Sequence, residues 1–187
     1  MGKAALLILL ILLFAACSDE VESEMNPNIL DGEVSFDYTI PDLEGYLITA
    51  VDAASGEGEE ERVDIYYVNE EDVGRNRQLM EMEEGYEEEF DIRRVYGPYE
   101  DFEDYRIVLI QSPYAFHEPF ENETVVDGRE FRYSVIASGE TGFLSFQTEV
   151  NGIHIEVSVK KPEERLNESD VPEEISRIYK EISEGMN

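Results

Sequence analysis

Most of the residues in this 187-residue chain that could do chemistry are carboxylates: Asp and Glu number 45, against two histidines and a single cysteine. The densest acidic stretches are residues 80–91, MEMEEGYEEEFD, and residues 99–105, YEDFEDY. Carboxylates at this density suit calcium, a hard cation that prefers oxygen ligands. Neither stretch has the D-x-[DN]-x-[DN]-G spacing of a calcium-binding loop, so the sequence favours solvated acidic loops over a metal site.

Aromatic residues are interleaved with these carboxylates. Such a surface could bind a cationic protein or a glycan, since aromatic rings supply contact area and attract cations. We therefore take five residues as a hypothesis for a binding surface: Tyr86, Phe90, Tyr99, Phe102 and Tyr105.

No catalytic residue is predicted. His117 lies in an aromatic, proline-containing stretch, and His154 lies on the expected wet face of a strand. Neither has the companion spacing of a zinc site, and no nucleophile elbow, P-loop or dinucleotide fingerprint is present. A glycosidase would need two carboxylates at a set separation across a cleft, which composition cannot reveal. The sequence thus implies no catalytic group, no metal and no cofactor.

The charge excludes one class of partner. The formal net charge of −31 disfavours nucleic acid, whose binding rewards lysines and arginines that neutralise phosphates. An anionic lipid surface would repel the folded region for the same reason. Lysine is scarce, occurring only at positions 3, 160, 161 and 180, a pattern similar to proteins of salt-adapted organisms. An acidic, soluble exported domain explains the charge equally well.

The start of the chain carries a targeting signal. Residues 4–14 are continuously apolar, too short for the roughly 20 residues of a membrane-spanning helix but typical of a secretory signal peptide. Phe14, Ala15, Ala16 and Cys17 follow and end this run. They resemble the lipobox of bacterial lipoproteins, with Phe14 where that family usually has leucine.

The resemblance implies a lipid anchor. In that family the cysteine receives a diacylglyceryl group and becomes the mature N-terminus, so Cys17 would carry palmitate-like acyl chains on the outer side of a cell membrane. We predict a signal peptide over residues 1–16, an acidic tether over 17–33 and one domain over 34–187. An ordinary signal peptide and an uncleaved N-terminal anchor are the alternatives. With Cys17 lipidated, the mature domain would have no disulfide.

Alternating apolar residues predict the strands of that domain. The residues of Ile107–Ile110 are all apolar, which fits a central strand covered on both faces. A helix or a strand is expected over residues 77–83, and a loop after Pro113. The other predicted strands cover residues 34–40, 46–51, 63–68 and 131–137.

The clearest local signal is a hairpin centred on Asn151-Gly152, a pair suited to a two-residue type I′ turn. That turn pairs Val150 with Ile153. It places residues 144, 146, 148, 150, 153, 155, 157 and 159 on one face, and Gln147, Glu149 and His154 on the other. Farther along, Val171, Ile175, Ile178 and Ile182 recur at helical spacing and predict an amphipathic helix. Its apolar stripe should pack on the apolar face of the sheet.

These elements predict an α+β fold, a mainly antiparallel sheet with a C-terminal amphipathic helix packed on it. Residues 124–183 also resemble C-terminal domains of uncharacterised membrane-anchored bacterial proteins, a likeness that implies no activity. We expect a non-catalytic binding or accessory module at the cell envelope, with a protein or glycan partner. The alternatives are a carboxylate-dependent envelope hydrolase and a sensor that regulates a membrane complex. A deep pocket with carboxylates of raised pKa would favour the hydrolase.

Overall fold

The structure, a computed structural model, describes residues 25–26, 28–54, 61–74, 77–117, 120–138, 140–162 and 167–185. The strands are β1 (Tyr46–Ala54), β2 (Arg62–Asn69), β3 (Arg93–Tyr96), β4 (Ile107–Ser112), β5 (Asn122–Val126), β6 (Arg129–Ser138), β7 (Thr141–Val150) and β8 (Ile153–Pro162). The helices are α1 (Tyr86–Phe90) and α2 (Val171–Gly185).

The eight strands found in these described ranges form one antiparallel sheet with the order β3-β1-β2-β4-β8-β7-β6-β5. The predicted α+β fold is therefore confirmed. Strand β4 lies between β2 and β8, so its predicted central place is also confirmed. Ile107 and Leu109 are fully buried on one face of the sheet, whereas Val108 and Ile110 are half-buried on the other.

The β7–β8 hairpin has the predicted register. Val150 pairs with Ile153 and Leu144 with Val159, as the two-residue turn requires. Asn151 and Gly152 both have positive φ, at 55° and 84°, the conformation that a type I′ turn demands. Turn chemistry and hydrophobic alternation thus select the same pairing.

Helix α2 covers half of the apolar face of the sheet. Val171, Ile175, Ile178 and Ile182 are buried, as the helical spacing predicts. Tyr179 meets Phe131 of β6 edge-on with ring centroids 5.1 Å apart. An ion pair of 3.0 Å between Lys161 and Glu174 joins the helix to the end of β8.

The N-terminal segment, residues 28–44, covers the other half of that face. Leu30 and Leu43 belong to the hydrophobic core, and the Tyr67 hydroxyl donates a hydrogen bond of 2.9 Å to the Pro41 carbonyl. The side chain of Gln111 in β4 accepts from the Thr39 amide at 3.0 Å. Residues 28–33 therefore belong to the folded domain, although the sequence analysis assigned them to the tether.

Several predicted elements are wrong. Residues 34–40 form no strand, because side chains such as Gln111, rather than a neighbouring strand, satisfy their backbone. Residues 77–83 form neither a helix nor a strand, apart from one bridge between Leu79 and Tyr99. Three further elements, β3, α1 and β5, were not predicted from the sequence.

We call the side of the sheet that packs on α2 and the N-terminal segment the core face. The opposite side is the open face, and it carries residues such as Asp52, Asp64, Glu130 and Glu156. It is polar because these residues alternate along each strand with those of the core. Residues 77–106 lie over its β1–β2 half, and a pocket lies over its β5–β8 half.

Candidate binding site on the open face

The roof segment is residues 77–106; apart from β3, which belongs to the sheet itself, it covers the open face of β1 and β2. Thr49 occupies a bulge in β1, where the register with β2 shifts. The bulge directs the Thr49 carbonyl to the roof segment, where it accepts from the Tyr99 amide at 3.2 Å. Gly97, at φ 72°, approaches so closely that a Cβ there would collide with the same carbonyl oxygen. The segment is therefore seated directly against the sheet.

Arg77 fastens one end of the roof segment. Its guanidinium donates to both carboxylate oxygens of Asp101, at 2.8 and 3.0 Å, and to the Ile48 carbonyl at 2.9 Å. The Thr49 hydroxyl also donates to Asp101. Burial alone would raise the pKa of Asp101, but the hydrogen bonds from Arg77 and Thr49 outweigh burial and lower the pKa. Asp101 is thus held as a charged structural anchor.

A buried ion cluster lies beneath the roof segment. Asp52 and Asp64 are directly opposite each other on β1 and β2. Arg94 of β3 pairs with Asp52 through two hydrogen bonds, one of them 2.8 Å long. Arg62 reaches both oxygens of Asp64, at 3.1 and 3.2 Å. Each carboxylate thus has its own guanidinium.

The pKa values follow from burial. Burial raises the pKa of Asp64 to about 6, against the attraction of Arg62. It also raises the pKa of Asp52, although the hydrogen bonds and charge of Arg94 oppose this change. Tyr66 lies beside them on β2, and burial, reinforced by the two carboxylates, raises its pKa. The two carboxyl groups are enclosed within the fold, and each is paired with an arginine.

Four of the five residues of the predicted aromatic surface lie around this cluster. The Arg94 guanidinium stands 4.6 Å from the ring centroid of Phe102 and 5.5 Å from that of Tyr86. Tyr105 contacts Phe102 with centroids 6.4 Å apart, and Phe90 contacts Tyr86 at 4.8 Å. The rings of Phe102 and Tyr86 therefore cover Arg94, and Tyr105 and Phe90 pack against those two rings. Phe90 is the most exposed of the four, at 55%.

Tyr99 lies apart from the other four. The Arg77 guanidinium stacks over its ring at 4.2 Å, and Tyr96 lies 5.5 Å away. The structure therefore assembles the predicted aromatic set mainly as a packing layer over Arg94. A role of these residues in binding stays a prediction.

The other half of the open face is concave. A pocket of about 470 Å³ lies over β5, β6, β7 and β8, and Ala115 and Phe116 of the loop after β4 form one wall. We call it the edge pocket, since β5 is the last strand of the sheet. Its longer polar side chains are Glu123, Glu130, Arg132, Gln147, Glu149 and His154.

The edge pocket is acidic, with carboxylates outnumbering guanidinium groups three to one. The ion pair of Arg132 with Glu123 spans 3.8 Å, and both side chains are more than two-thirds exposed. A pair this exposed contributes at most about 1 kcal/mol, so Glu123 remains available to a ligand. Val125, which is 65% exposed, adds an apolar rim.

The two histidines differ in position. His154 is half-buried in the lining of the edge pocket, on the wet face of β8 as predicted. His117 is exposed in the loop after β4 and does not line this pocket. From the sequence, neither histidine was expected to bind zinc or to act in catalysis.

Sequence reasoning missed the edge pocket because the loop after β4 supplies its wall. The signal that could have found it lies in the β7–β8 hairpin, whose predicted wet face already contained Gln147, Glu149 and His154. Within the described ranges, no group of three or more His, Cys, Asp or Glu side chains is placed to hold a metal ion.

The lipidation hypothesis concerns residues that the structure does not cover. Cys17 and its recognition residues Phe14, Ala15 and Ala16 lie outside the described residues. In the part of the chain that is described, no helix is both long and apolar enough to span a membrane.

Comparisons with known proteins identify no relative: no family model, no curated protein and no solved structure matches this chain.

Proposed function

We propose that this protein is an exported lipoprotein, anchored through Cys17, whose domain binds a cationic ligand in the edge pocket. It would act as a non-catalytic binding or accessory module of the cell envelope. The observation that carries the proposal is the pocket of about 470 Å³, in which carboxylates outnumber guanidinium groups three to one. A concave site with a few convergent polar groups is the usual form of a ligand site.

The anchor is supported by the lipobox-like sequence from Phe14 to Cys17. A chain with a net charge of −31 would be repelled by anionic lipid. Two acyl chains give stable attachment independently of that repulsion, whereas a single chain gives only marginal binding. Lipidation would therefore hold the domain near a surface that its charge alone would avoid.

Binding is better supported than hydrolysis. The carboxyl groups with raised pKa, Asp52 and Asp64, resemble the paired acids that a hydrolase needs. Neither lines the edge pocket, and each is paired with an arginine. A general acid must reach the proton acceptor of its substrate, so enclosed residues of this kind suit a structural role.

Replacing Cys17 with Ala tests the anchor. We expect Cys17→Ala to leave the unprocessed precursor or to release the protein from membranes, because the thiol is the acceptor of the lipid. Cell fractionation and the mass of the mature N-terminus measure the outcome. Unchanged processing and partitioning would contradict the lipoprotein proposal.

A lysine-rich peptide tests the pocket. Full-length protein in zwitterionic detergent should bind it more weakly after the double change Glu130→Gln and Glu149→Gln, measured by calorimetry. The control is the double change Glu88→Gln and Glu89→Gln, which removes the same charge from exposed positions of α1. Equal weakening in both variants would show general electrostatic attraction and contradict a pocket site.

A further inference from the structure

The two edges of the sheet differ in how their backbone groups are used. At the β3 edge, the Arg94 amide donates to the Glu87 carboxylate at 2.8 Å, and the Ile92 amide donates to the Glu87 carbonyl at 3.0 Å. Helix α1 thus occupies donors that an incoming strand would need. At the β5 edge, among the described residues, β5 pairs only with β6.

The register identifies which groups of β5 point outward. Val126 pairs with Arg129 across the turn Asp127-Gly128, whose φ values are 52° and 80°. In such a two-residue hairpin the closing pair exchanges hydrogen bonds, and hydrogen-bonded and non-hydrogen-bonded pairs then alternate. The amide and carbonyl groups of Glu123 and Val125 therefore point away from the sheet.

The side chains at these two positions belong to the edge pocket. Glu123 and Val125 both line it, and Val125 is 65% exposed. A strand added beside β5 would place every second side chain directly opposite Glu123 and Val125, on the open face. Backbone pairing and pocket binding would thus use the same two residues.

The charge of the β5 edge indicates which kind of strand could pair with it. A second copy of this chain would bring Glu121 and Glu123 close to the same residues of its partner, on molecules that each carry a charge of −31. Like charges opposite each other destabilise strand pairing, whereas opposite charges stabilise it. An acidic edge of this kind opposes self-association and favours a basic strand.

Resting on the proposed function, we infer that the ligand is an extended basic segment of another protein, which adds to β5 as a ninth, antiparallel strand. Its alternate lysine or arginine side chains enter the edge pocket, beside Glu123 and Glu130. Main-chain hydrogen bonds to Glu123 and Val125 supply affinity, and the pocket supplies the preference for cations.

The test uses a synthetic peptide of alternating lysine and valine, with a glutamate-valine peptide as the charge control. In the antiparallel arrangement, residues opposite Glu123 and Val125 direct both their side chains to the open face and their amides to β5. Methylating the lysine amides should therefore weaken binding to full-length protein about tenfold or more. Methylating the valine amides, which face solvent, should leave binding within about twofold.

A variant of the chain provides a second test. Val125→Pro removes an outward amide that takes no part in the β5–β6 ladder, and proline is tolerated at such edge positions. We expect Val125→Pro to abolish binding of the lysine-valine peptide. Its melting temperature should lie within a few degrees of that of Val125→Thr, the control that keeps the amide. Should Val125→Pro fail to fold, the methylated peptides still decide the question.

The outcomes separate the two proposals. Equal binding of both methylated peptides would overturn strand addition and leave the cationic pocket standing. Equal binding of the lysine and glutamate peptides, or no binding of either, would overturn the proposed cationic site and this inference with it, but not the lipid anchor. Self-association of the free protein that Val125→Pro abolishes would identify a second copy as the occupant and overturn a basic partner.

Discussion

The two halves of the open face treat charge in opposite ways. Over β1 and β2, the side chains of Asp52 and Arg94 are 1% and 4% exposed and are covered by aromatic rings. Over β5 and β6, the side chains of Glu123 and Arg132 are 78% and 70% exposed. One half therefore encloses its ions and pairs them, whereas the other leaves a surplus of carboxylates in water.

The difference reflects where the few basic side chains of this chain lie. Lys and Arg number 14 against 45 acidic residues, and Arg62, Arg77 and Arg94 all hold carboxylates around the roof segment. A buried charge requires a partner, whereas an exposed one is solvated. Part of the acidic surplus is therefore left exposed at the edge pocket, where an external cation can reach it.

The largest effect should come from breaking the enclosed half. Arg94→Ala leaves Asp52 buried without its guanidinium, and we expect a loss of about 3–5 kcal/mol in the free energy of unfolding. Urea denaturation measures it. Arg132→Ala, at the exposed pair, is the matched control and should change stability by less than about 1 kcal/mol.

A double variant sharpens that result. Replacing Asp52 with Leu together with Arg94→Met should recover much of the loss, because an apolar pair leaves no buried charge unsatisfied. If Arg94→Ala costs no more than Arg132→Ala, the roof segment does not depend on this ion pair.

The second effect concerns pH. The folded protein holds the Asp64 proton up to about pH 6, while the unfolded chain releases it near the ordinary value of 3.8. Between these values the native state binds more protons, so the contribution of Asp64 to stability falls as pH rises and is fully unfavourable above about pH 6. We expect Asp64→Asn to remove this pH-dependent decrease in the free energy of unfolding, which is at most about 3 kcal/mol.

The measurement is the difference in unfolding free energy between the two proteins at pH 4, 5, 6 and 7. Subtraction isolates Asp64 from groups of opposite sign such as Asp101, whose lowered pKa makes its contribution fade as pH falls below its ordinary value. Glu130→Gln, at an exposed carboxylate of the edge pocket, is the control. A difference that does not vary with pH would contradict the raised pKa of Asp64.

The smallest effect concerns the exposed half. Added sodium chloride should raise the melting temperature, because salt screens the repulsion among the acidic residues. Replacing Glu123, Glu130 and Glu149 with Gln should raise the midpoint at low salt by roughly 2–4 °C and reduce its salt dependence. Scanning calorimetry measures the unfolding midpoints of the wild-type protein and of the variant. A wild-type midpoint that does not change with salt would contradict the screening argument.

The sequence predicts the parts of the fold in which local chemistry and alternation agree. Asn151-Gly152 defines both a turn and a register, and the spacing of Ile175, Ile178 and Ile182 defines a helix face. Residues 34–40 also alternate, yet they form no strand, because alternation shows which side chains are buried and not what satisfies the backbone. Their amides and carbonyls are bonded by distant side chains, such as that of Gln111.

The candidate site was less predictable. The aromatic residues were found by composition, but their position over Arg94 depends on the bulge at Thr49 and the close approach of Gly97. The edge pocket combines the wet face of one hairpin with a loop more than 30 residues earlier, at Ala115 and Phe116. Such contacts between distant parts of the chain leave no local pattern in the sequence.

The folding unit includes the N-terminal segment as well as the strands and helices, because Leu30 and Leu43 belong to the core. A chain that began at Tyr46 would keep all eight strands and α2 but lose Leu30 and Leu43 from the core. Its apolar surface over β1, β2 and β4 would then face water. The same segment leads to the proposed anchor, so a pulling force on the lipid would act first on the core and only afterwards on the sheet. A force between the anchor and a bound partner would therefore first load the core contacts of Leu30.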